Sequence, residues 1–214
     1  MAPHRQDRTF PALLLGVYAL IWLALAIKPK YRDDWLLENV LVLIVVPLLV
    51  LAARRWTFSR TAYSAVFLFM VLHAIGSHYT YSEVPYDAWL QSLFGFSLTE
   101  VAGFSRNHYD RLVHFCYGLL WLPFGAELLT QKLHLPGVWR RIVPVVFMVA
   151  FSACYELIEW QAALLFGGDL GEAYLGTQGD NWDAEKDVAL AVLGAVLSAF
   201  LVRLPAVSPR PANV

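Results

Sequence analysis

Six long apolar stretches constrain this chain more than any other feature of its sequence. They cover residues 10–27, 36–53, 61–79, 109–129, 142–166 and 188–204. A helix needs about 20 mostly apolar residues to cross the hydrocarbon core of a bilayer. Because 58% of the residues are hydrophobic and only 15% are charged, an ordinary soluble domain is excluded. The sequence predicts an all-α fold, a polytopic transmembrane helical bundle of about six spans.

The lysines and arginines are shared unevenly between the two sides of this predicted bundle. The side that holds both termini carries Arg5, Arg8, Arg54, Arg55, Arg60, Lys132, Arg140, Arg141, Arg203 and Arg210. The other side carries only Lys28, Lys30, Arg32, Arg106, Arg111 and Lys186. Since the side richer in these cations stays in the cytoplasm, both termini are predicted to be cytoplasmic. The formal net charge of −1 gives no support to nucleic-acid binding, and no protein partner is indicated.

The segment of residues 82–107 is long for a connection within a helical bundle. Aromatic and polar residues are mixed over residues 86–94, as is typical of a helix at a membrane interface. We predict that this segment lies flat on the outer surface, with an ordinary ordered loop as the alternative, since Gly95 and Gly103 interrupt the pattern. Residues 1–204 are predicted to form one transmembrane domain, and residues 205–214 a disordered tail.

Ionisable residues inside the predicted spans are the main functional signal. Each costs about 3 kcal/mol at the centre of a membrane, so it usually faces the bundle interior and marks a function or a buried pair. Asp110 and His114 lie at i and i+4 on one helical face, and Glu156 and Glu159 lie one turn apart. The predicted topology brings these groups to one extracytoplasmic level, together with His73, His78, Asp180, Asp183 and Asp187.

Carboxylates mixed with imidazole suit a divalent metal such as Zn, Mn, Fe or Mg. The predicted metal ligands are His78, Asp110, His114, Glu156, Asp180, Asp183 and Asp187. The predicted catalytic residues are Glu156, Glu159 and His114, because a metal activates water and a glutamate or histidine then serves as base. A lipid-linked or other envelope ligand is predicted to contact Arg106, Arg111, Asn107, Tyr81 and Trp160, with the two arginines holding its anionic group.

Structural interpretations of the same residues stay open. Asp110 suits the first turn of a helix, where a carboxylate offsets the helix dipole. The carboxylates of the fifth span could pair with Arg106 or Arg111 and hold the bundle together. Asp183 and Asp187 are also typical of a helix start. For this reason the whole set of residues, rather than any one of them, predicts chemistry.

Four separated motifs carry a resemblance to a known family. They are HAIGSHYTY at residues 73–81, RNHYDRLVHF at 106–115, YELIEW at 155–160 and LGTQGDNWD at 175–183. In this order they resemble the YjdF-like family of bacterial inner-membrane proteins, and the resemblance covers nearly the whole chain. It implies a multi-pass protein of the bacterial inner (cytoplasmic) membrane, without implying an activity.

A more distant likeness is to VanZ-like membrane proteins, which are associated with glycopeptide resistance. Those proteins carry an Asp-Lys-x-x-His-Phe helix, a later glutamate, and an Asp-x-x-x-Asn segment that opens the last span. Residues 110–115 match the first element with arginine in place of lysine, and Glu156 or Glu159 could match the second. Asp187 opens the third element, in which Ala191 stands in place of the asparagine.

Three functional hypotheses follow from these patterns. In the first, a polar, metal-binding cavity opens to the extracytoplasmic side and hydrolyses or binds a lipid-linked or envelope substrate, so that the protein is a metal-dependent membrane hydrolase. In the second, the same residues serve a proton- or cation-coupled transporter or a lipid flippase. In the third, the protein is a structural or accessory membrane protein whose buried polar groups lock the bundle.

Overall fold

The computed structural model describes residues 8–168, 171 and 175–202, which contain helices and no strand. The helices are α1 (Thr9–Leu25), α2 (Arg32–Arg55), α3 (Arg60–His78), α4 (Tyr86–Phe94), α5 (Leu98–Ala102), α6 (Tyr109–Leu133), α7 (Trp139–Phe166) and α8 (Asp183–Leu201). The prediction of an all-α fold is thereby confirmed. The predicted disordered tail, residues 205–214, lies outside the described part of the chain.

Four of these helices, α2, α3, α6 and α7, are long and apolar enough to cross a membrane. The apolar helix α1 has 17 residues, which at 1.5 Å per residue makes it about 26 Å long. Helix α8 has 19 residues, and its N-terminal part is charged, with Asp183, Glu185, Lys186 and Asp187. The chain therefore forms a membrane-helical bundle, while the number of six spans and the cytoplasmic termini stay predictions.

Helix α6 lies at the centre of the bundle and packs against α3, α7 and α8. Its contact with α8 is close because a glycine stands at the crossing on each helix. A Cβ atom added to Gly118 would lie 1.9 Å from the carbonyl oxygen of Ala191, and one added to Gly194 would lie 2.1 Å from that of Phe115. Small residues let two backbones approach in this way inside a membrane. The crossing therefore determines where the start of α8 lies beside α6.

The two ends of the bundle carry different side chains. Helices α2, α6 and α8 begin, and α1, α3 and α7 end, at what we call the site end. There His78 Nδ1 lies 2.7 Å from the carbonyl oxygen of Leu25, which joins the last turns of α3 and α1. At the opposite end, the basic end, Arg8 donates a hydrogen bond of 3.4 Å to the carbonyl oxygen of Arg54. The two sets of cations that the sequence separates thus lie at opposite ends wherever the structure describes them.

The long segment after α3 contains the two short helices α4 and α5, which Asp87 holds together. The Thr99 backbone nitrogen donates to Asp87 Oδ1 at 3.0 Å, and the Thr99 hydroxyl donates to Oδ2. Burial alone would raise the pKa of Asp87, but these hydrogen bonds hold it below its ordinary value. Leu93, Phe94 and Val101 are largely exposed, as is typical of helices at a membrane interface. The flat orientation of this segment on a membrane stays a prediction.

At the basic end, Glu127 of α6 forms hydrogen bonds with the residue that caps the start of α3. Ser59 is the N-cap of α3, and its hydroxyl oxygen accepts from the Ala62 backbone nitrogen at 3.1 Å. Glu127 accepts from the Ser59 backbone nitrogen at 2.7 Å and from the Ser59 hydroxyl at 2.5 Å. Phe58 stacks on Phe124 beside this contact, with ring centroids 4.2 Å apart. Glu127 is therefore a buried carboxylate with a structural role, away from the site end.

Candidate functional site

His114 of α6 lies at the centre of a buried polar cluster at the site end. Asp110, one turn earlier, places Oδ1 3.5 Å from His114 Nε2, and Glu156 of α7 places Oε1 3.6 Å from His114 Nδ1. His114 is 7% exposed, so these interactions are largely shielded from water. The structure thus brings together three residues that the sequence pattern singled out.

Two overlapping groups of potential ligand atoms share His114. One group consists of Asp110, His114 and Asp187, and the other of His114, Glu156 and Glu159. Within each group, one nitrogen or oxygen atom of every side chain lies within 4.8 Å of the others. Asp187 is 2% exposed and reaches the cluster because the α6–α8 crossing places the start of α8 beside α6. Three helices therefore contribute ligand atoms to one small volume.

Helix α2 adds a carboxylate that the sequence analysis did not assign to the site. Glu38 is 4% exposed and interacts electrostatically with Asp110 and His114. Tyr155 of α7 lies within hydrogen-bonding reach of both Glu38 and Glu159. Four helices, α2, α6, α7 and α8, therefore surround the cluster.

A signal for Glu38 was present in the sequence. Asp34 and Glu38 are i and i+4 at the start of α2, which is the same spacing that places Asp110 and His114 on one face of α6. Asp34 is almost fully buried and accepts a hydrogen bond from the hydroxyl of Thr80. The predicted span begins only at residue 36, so it does not include Asp34 and does not reveal this spacing.

Several carboxylate oxygens of the cluster have no hydrogen-bond partner among the described residues. They are Oε2 of Glu38, Oε1 of Glu156 and Oδ1 of Asp187. Buried polar atoms are nearly always paired, because leaving one unpaired costs about 1–3 kcal/mol. The cluster can therefore accept a cation or protons beyond the donors that its own side chains supply.

Arg106 and Arg111 lie beside the cluster, and both are ion-paired. Arg106 Nη2 lies 2.5 Å from Asp183 Oδ1, while Arg111 Nη2 lies 2.9 Å from the same oxygen and 2.6 Å from Asp180 Oδ2. Lys186 also contacts Asp180, at 2.7 Å. Hydrogen bonds from Lys186, from the backbone and from Arg111 hold the pKa of Asp180 well below its ordinary value. Asp180 and Asp183 thus pair with these cations and belong to neither ligand group.

Two of the predicted ligand-contacting residues hold loops in place. The Asn107 backbone nitrogen donates to Gln178 Oε1 at 3.1 Å, and Gln178 Nε2 donates back to the Asn107 carbonyl oxygen at 3.0 Å. Tyr81 is buried, and its hydroxyl oxygen lies 2.5 Å from His73 Nδ1. These contacts occupy polar groups that the sequence assigned to a ligand.

His78 and Trp160 lie outside both ligand groups. The His78 ring contacts the carbonyl oxygen of Leu25 at 2.7 Å, at the edge of the site end. Trp160 is 53% exposed, whereas Glu159, the residue before it, is buried. A metal-binding role for His78 and a ligand-binding role for Trp160 therefore gain no geometric support, and both stay predictions.

Comparisons with known proteins agree with the fold. Residues 10–205 match the family described as "Predicted membrane protein (DUF2238)". The chain is 38% identical over 204 residues to the inner membrane protein YjdF of Escherichia coli (strain K12), covering 92% of each chain. No solved structure matches.

The YjdF-like resemblance and the inner-membrane location are confirmed, whereas the likeness to VanZ-like proteins stays a prediction. By its sequence over nearly its whole length, the chain belongs to the DUF2238 family of predicted membrane proteins.

Proposed function

We propose that the cluster around His114 binds a divalent cation, and that this cation is the centre of the protein's activity in the inner membrane. The observation that carries the proposal is the set of buried carboxylate oxygens without partners, on Glu38, Glu156 and Asp187. These side chains come from three helices and surround one histidine. A cation held by one of the two ligand groups would bind the carboxylate of Asp187 or of Glu156, whose unpaired oxygens have no donor among the described side chains, and its positive charge would also favour the carboxylates that remain unbound.

The charge of the cluster also favours a cation. Its carboxylic side chains outnumber its single imidazole, and they belong to Glu38, Asp110, Glu156, Glu159 and Asp187. The two nearby guanidinium groups are already paired with other carboxylates. Buried charges without compensation are costly in a membrane, so such carboxylates either take up protons or hold a metal.

The ligand atoms suit Zn, Mn or Fe better than Mg, because a nitrogen accompanies the oxygens. Ligands that bind a tetrahedral ion at about 2.0–2.3 Å lie about 3.3–3.8 Å apart. Each group, whose atoms lie within 4.8 Å of one another, therefore holds a cation after its side chains move inward by up to about 1 Å. Since a neutral imidazole offers one lone pair, His114 can serve one group at a time. We expect one ion per chain.

In the hydrolytic version of the proposal, the cation supplies Lewis acidity and lowers the pKa of bound water. With Asp110, His114 and Asp187 as ligands, Glu156 and Glu159 remain available on α7 to accept or return a proton. The substrate is then a lipid-linked or other envelope compound that approaches from the site end. Arg106 and Arg111 have no anion-holding role in this proposal, because Asp180 and Asp183 occupy them.

Elemental analysis of the purified protein tests the proposal. The wild-type protein is expected to carry about one Zn, Mn or Fe per chain, and Asp187→Asn or His114→Gln is expected to lower metal affinity about 100-fold. Glu127→Gln is the matched control, because it removes a buried carboxylate at the basic end and is expected to keep the metal. A folded wild-type protein that takes up none of these metals, even after reloading, would contradict the proposal.

The structural alternative, in which the cluster only locks the bundle, predicts the opposite stability change for Asp187→Asn. In the metal-free protein, we expect this substitution to raise the free energy of unfolding by about 1 kcal/mol, because it removes one of several crowded buried charges. Adding metal at 100 times its dissociation constant is expected to stabilise the wild type by about 2.7 kcal/mol and the variant by far less. If the metal-free variant were clearly less stable than the metal-free wild type, the purely structural role of the cluster would be favoured.

A proton- or cation-coupled transporter or flippase is the second candidate. It is favoured by the position of the carboxylates, which lie buried between the helices of the bundle rather than in a surface groove. Uptake of protons or of the bound metal into sealed proteoliposomes, lost in Glu159→Gln, would support this candidate. Turnover of an envelope lipid in detergent, where no sealed bilayer exists, would support the hydrolase instead.

A further inference from the structure

A second feature lies at the opposite end of the bundle, between α1, α2 and α3. It is a cavity of about 240 Å³ whose lining reaches Arg8 and Arg54 at the basic end. Apart from the arginines and two tyrosine hydroxyls its lining is apolar, and Phe124 of α6 forms part of its wall. The polar cluster around His114 shares no residue with this cavity, so the cavity is independent of the proposed metal site.

Helices α1 and α2 contact each other at both ends of this cavity, which lies between the two contacts. At the site end, Trp22 of α1 lies against Trp35 of α2, with ring centroids 5.6 Å apart. Trp22 Nε1 also donates to Asn39 Oδ1 at 2.5 Å. Toward the basic end both helices line the cavity, with Leu15 on α1 and Val50 on α2 among the lining residues. At the basic end, the side chain of Arg8 on α1 donates to the carbonyl oxygen of Arg54 on α2 at 3.4 Å. The space, which we call the wedge, is therefore a gap between two helices that touch at both of its ends.

The length of the wedge matches one leaflet of a bilayer. On α1 its lining extends from Arg8 to Tyr18, and on α2 from Arg54 back to Val46. At 1.5 Å per residue these distances are about 15 Å and about 12 Å. One leaflet contributes about 15 Å of hydrocarbon, half of the thickness of the core. The length and the apolar lining of this space suit part of an extended acyl chain.

Two cations lie at the basic end of the wedge. Arg8 and Arg54 both line the cavity, and both are exposed. Within the described residues, neither forms a salt bridge with a carboxylate, and the side chain of Arg8 donates only to the Arg54 carbonyl oxygen. Guanidinium groups bind phosphate through paired, charge-assisted hydrogen bonds. The basic end of the wedge thus complements the anionic headgroup of a phospholipid.

From this combination we infer that the wedge is a binding site for one anionic glycerophospholipid. One acyl chain lies between α1, α2 and α3, and the phosphate lies against Arg8 and Arg54. The lipid fills a gap that the helices leave and neutralises the two arginines. It therefore adds a contact between α1 and α2 to the packing of α1 against α3.

Native mass spectrometry tests this inference on the full-length protein in detergent, with phosphatidylglycerol and phosphatidylcholine of the same acyl chains. We expect about one bound phosphatidylglycerol per chain, with an affinity about tenfold higher than that of phosphatidylcholine. The double variant Arg8→Gln/Arg54→Gln is expected to lose this preference. Val50→Trp, which fills the wedge, is expected to reduce binding of both lipids.

The matched control is Arg55→Gln, which removes an equal charge from an exposed neighbour of Arg54 that does not line the cavity. It is expected to bind phosphatidylglycerol as the wild type does. Equal binding of the two lipids by the wild type would overturn the inference, as would an unchanged preference in Arg8→Gln/Arg54→Gln. An equal loss in Arg55→Gln would also overturn it, because general surface charge would then explain the binding.

Discussion

Gly118→Ala is expected to lower the free energy of unfolding by about 3 kcal/mol, although it adds only one methyl group. The new Cβ would lie 1.9 Å from the carbonyl oxygen of Ala191 and 2.6 Å from the backbone nitrogen of Ala195. Both contacts are with backbone atoms, which cannot rotate away as a side chain would. Helices α6 and α8 must therefore separate. Unfolding of the purified protein in mixed detergent micelles measures the loss.

The same substitution is expected to weaken the metal site. Gly118 lies one turn after His114, and Ala191 lies one turn after Asp187. Separating the helices at this crossing moves Asp187 away from the ligand group that it forms with Asp110 and His114. Metal content, measured on folded protein, is therefore expected to fall together with stability, whereas a substitution that only loosens the basic end would leave the metal in place.

Gly16→Ala is the control for Gly118→Ala. Gly16 lies within α1, and a Cβ atom added there would meet no atom within 4 Å. Alanine is favoured over glycine inside a helix by about 0.5–1 kcal/mol, so this variant is expected to be slightly more stable than the wild type. Gly194→Ala approaches the same crossing from α8 and is expected to resemble Gly118→Ala. If Gly118→Ala were as stable as Gly16→Ala, the described crossing of α6 and α8 would be wrong.

The helices could be predicted from sequence because the bilayer leaves the backbone few alternatives. In hydrocarbon every backbone polar group must be paired within the segment, so an apolar stretch of about 20 residues becomes a helix. The ends of the helices were less predictable. Helix α2 begins at Arg32, four residues before the predicted span, because charged residues can continue a helix beyond the hydrocarbon core. That shift concealed the spacing of Asp34 and Glu38.

The cluster could be predicted only in part. Helical spacing placed Asp110 with His114, because neighbours on one helix face are determined by geometry alone. Pairing between elements was not determined in this way. Arg106 and Arg111 were expected to hold a ligand, and the structure pairs them with Asp180 and Asp183. Which carboxylate meets which cation depends on how the loop before α8 folds over α6, and charge counting contains no information about that path.

Asp183→Asn is expected to destabilise the protein by about 3 kcal/mol, because it leaves two buried cations without their shared partner. The side chains of Arg106 and Arg111 are 9% and 15% exposed, and Asp183 Oδ1 lies within 2.5 Å and 2.9 Å of them. Asparagine keeps the shape of aspartate but not its charge, so the loss measures the electrostatic contribution. Chemical unfolding at low and at high salt measures this loss, and salt is expected to change it little because the pair is buried.

Asp180→Asn separates this effect from a general loss of negative charge at the site end. Asp180 also pairs with Arg111, but its side chain is 20% exposed, and its other partner, Lys186, is 47% exposed. Exposed pairs contribute little and are screened by salt, so Asp180→Asn is expected to cost less than Asp183→Asn and to become nearly neutral at high salt. A loss in Asp183→Asn that is as small as the loss in Asp180→Asn, and that also disappears at high salt, would show that neither arginine depends on Asp183. Both guanidinium groups would then be free to bind an anionic substrate beside the metal, as the sequence alone predicted.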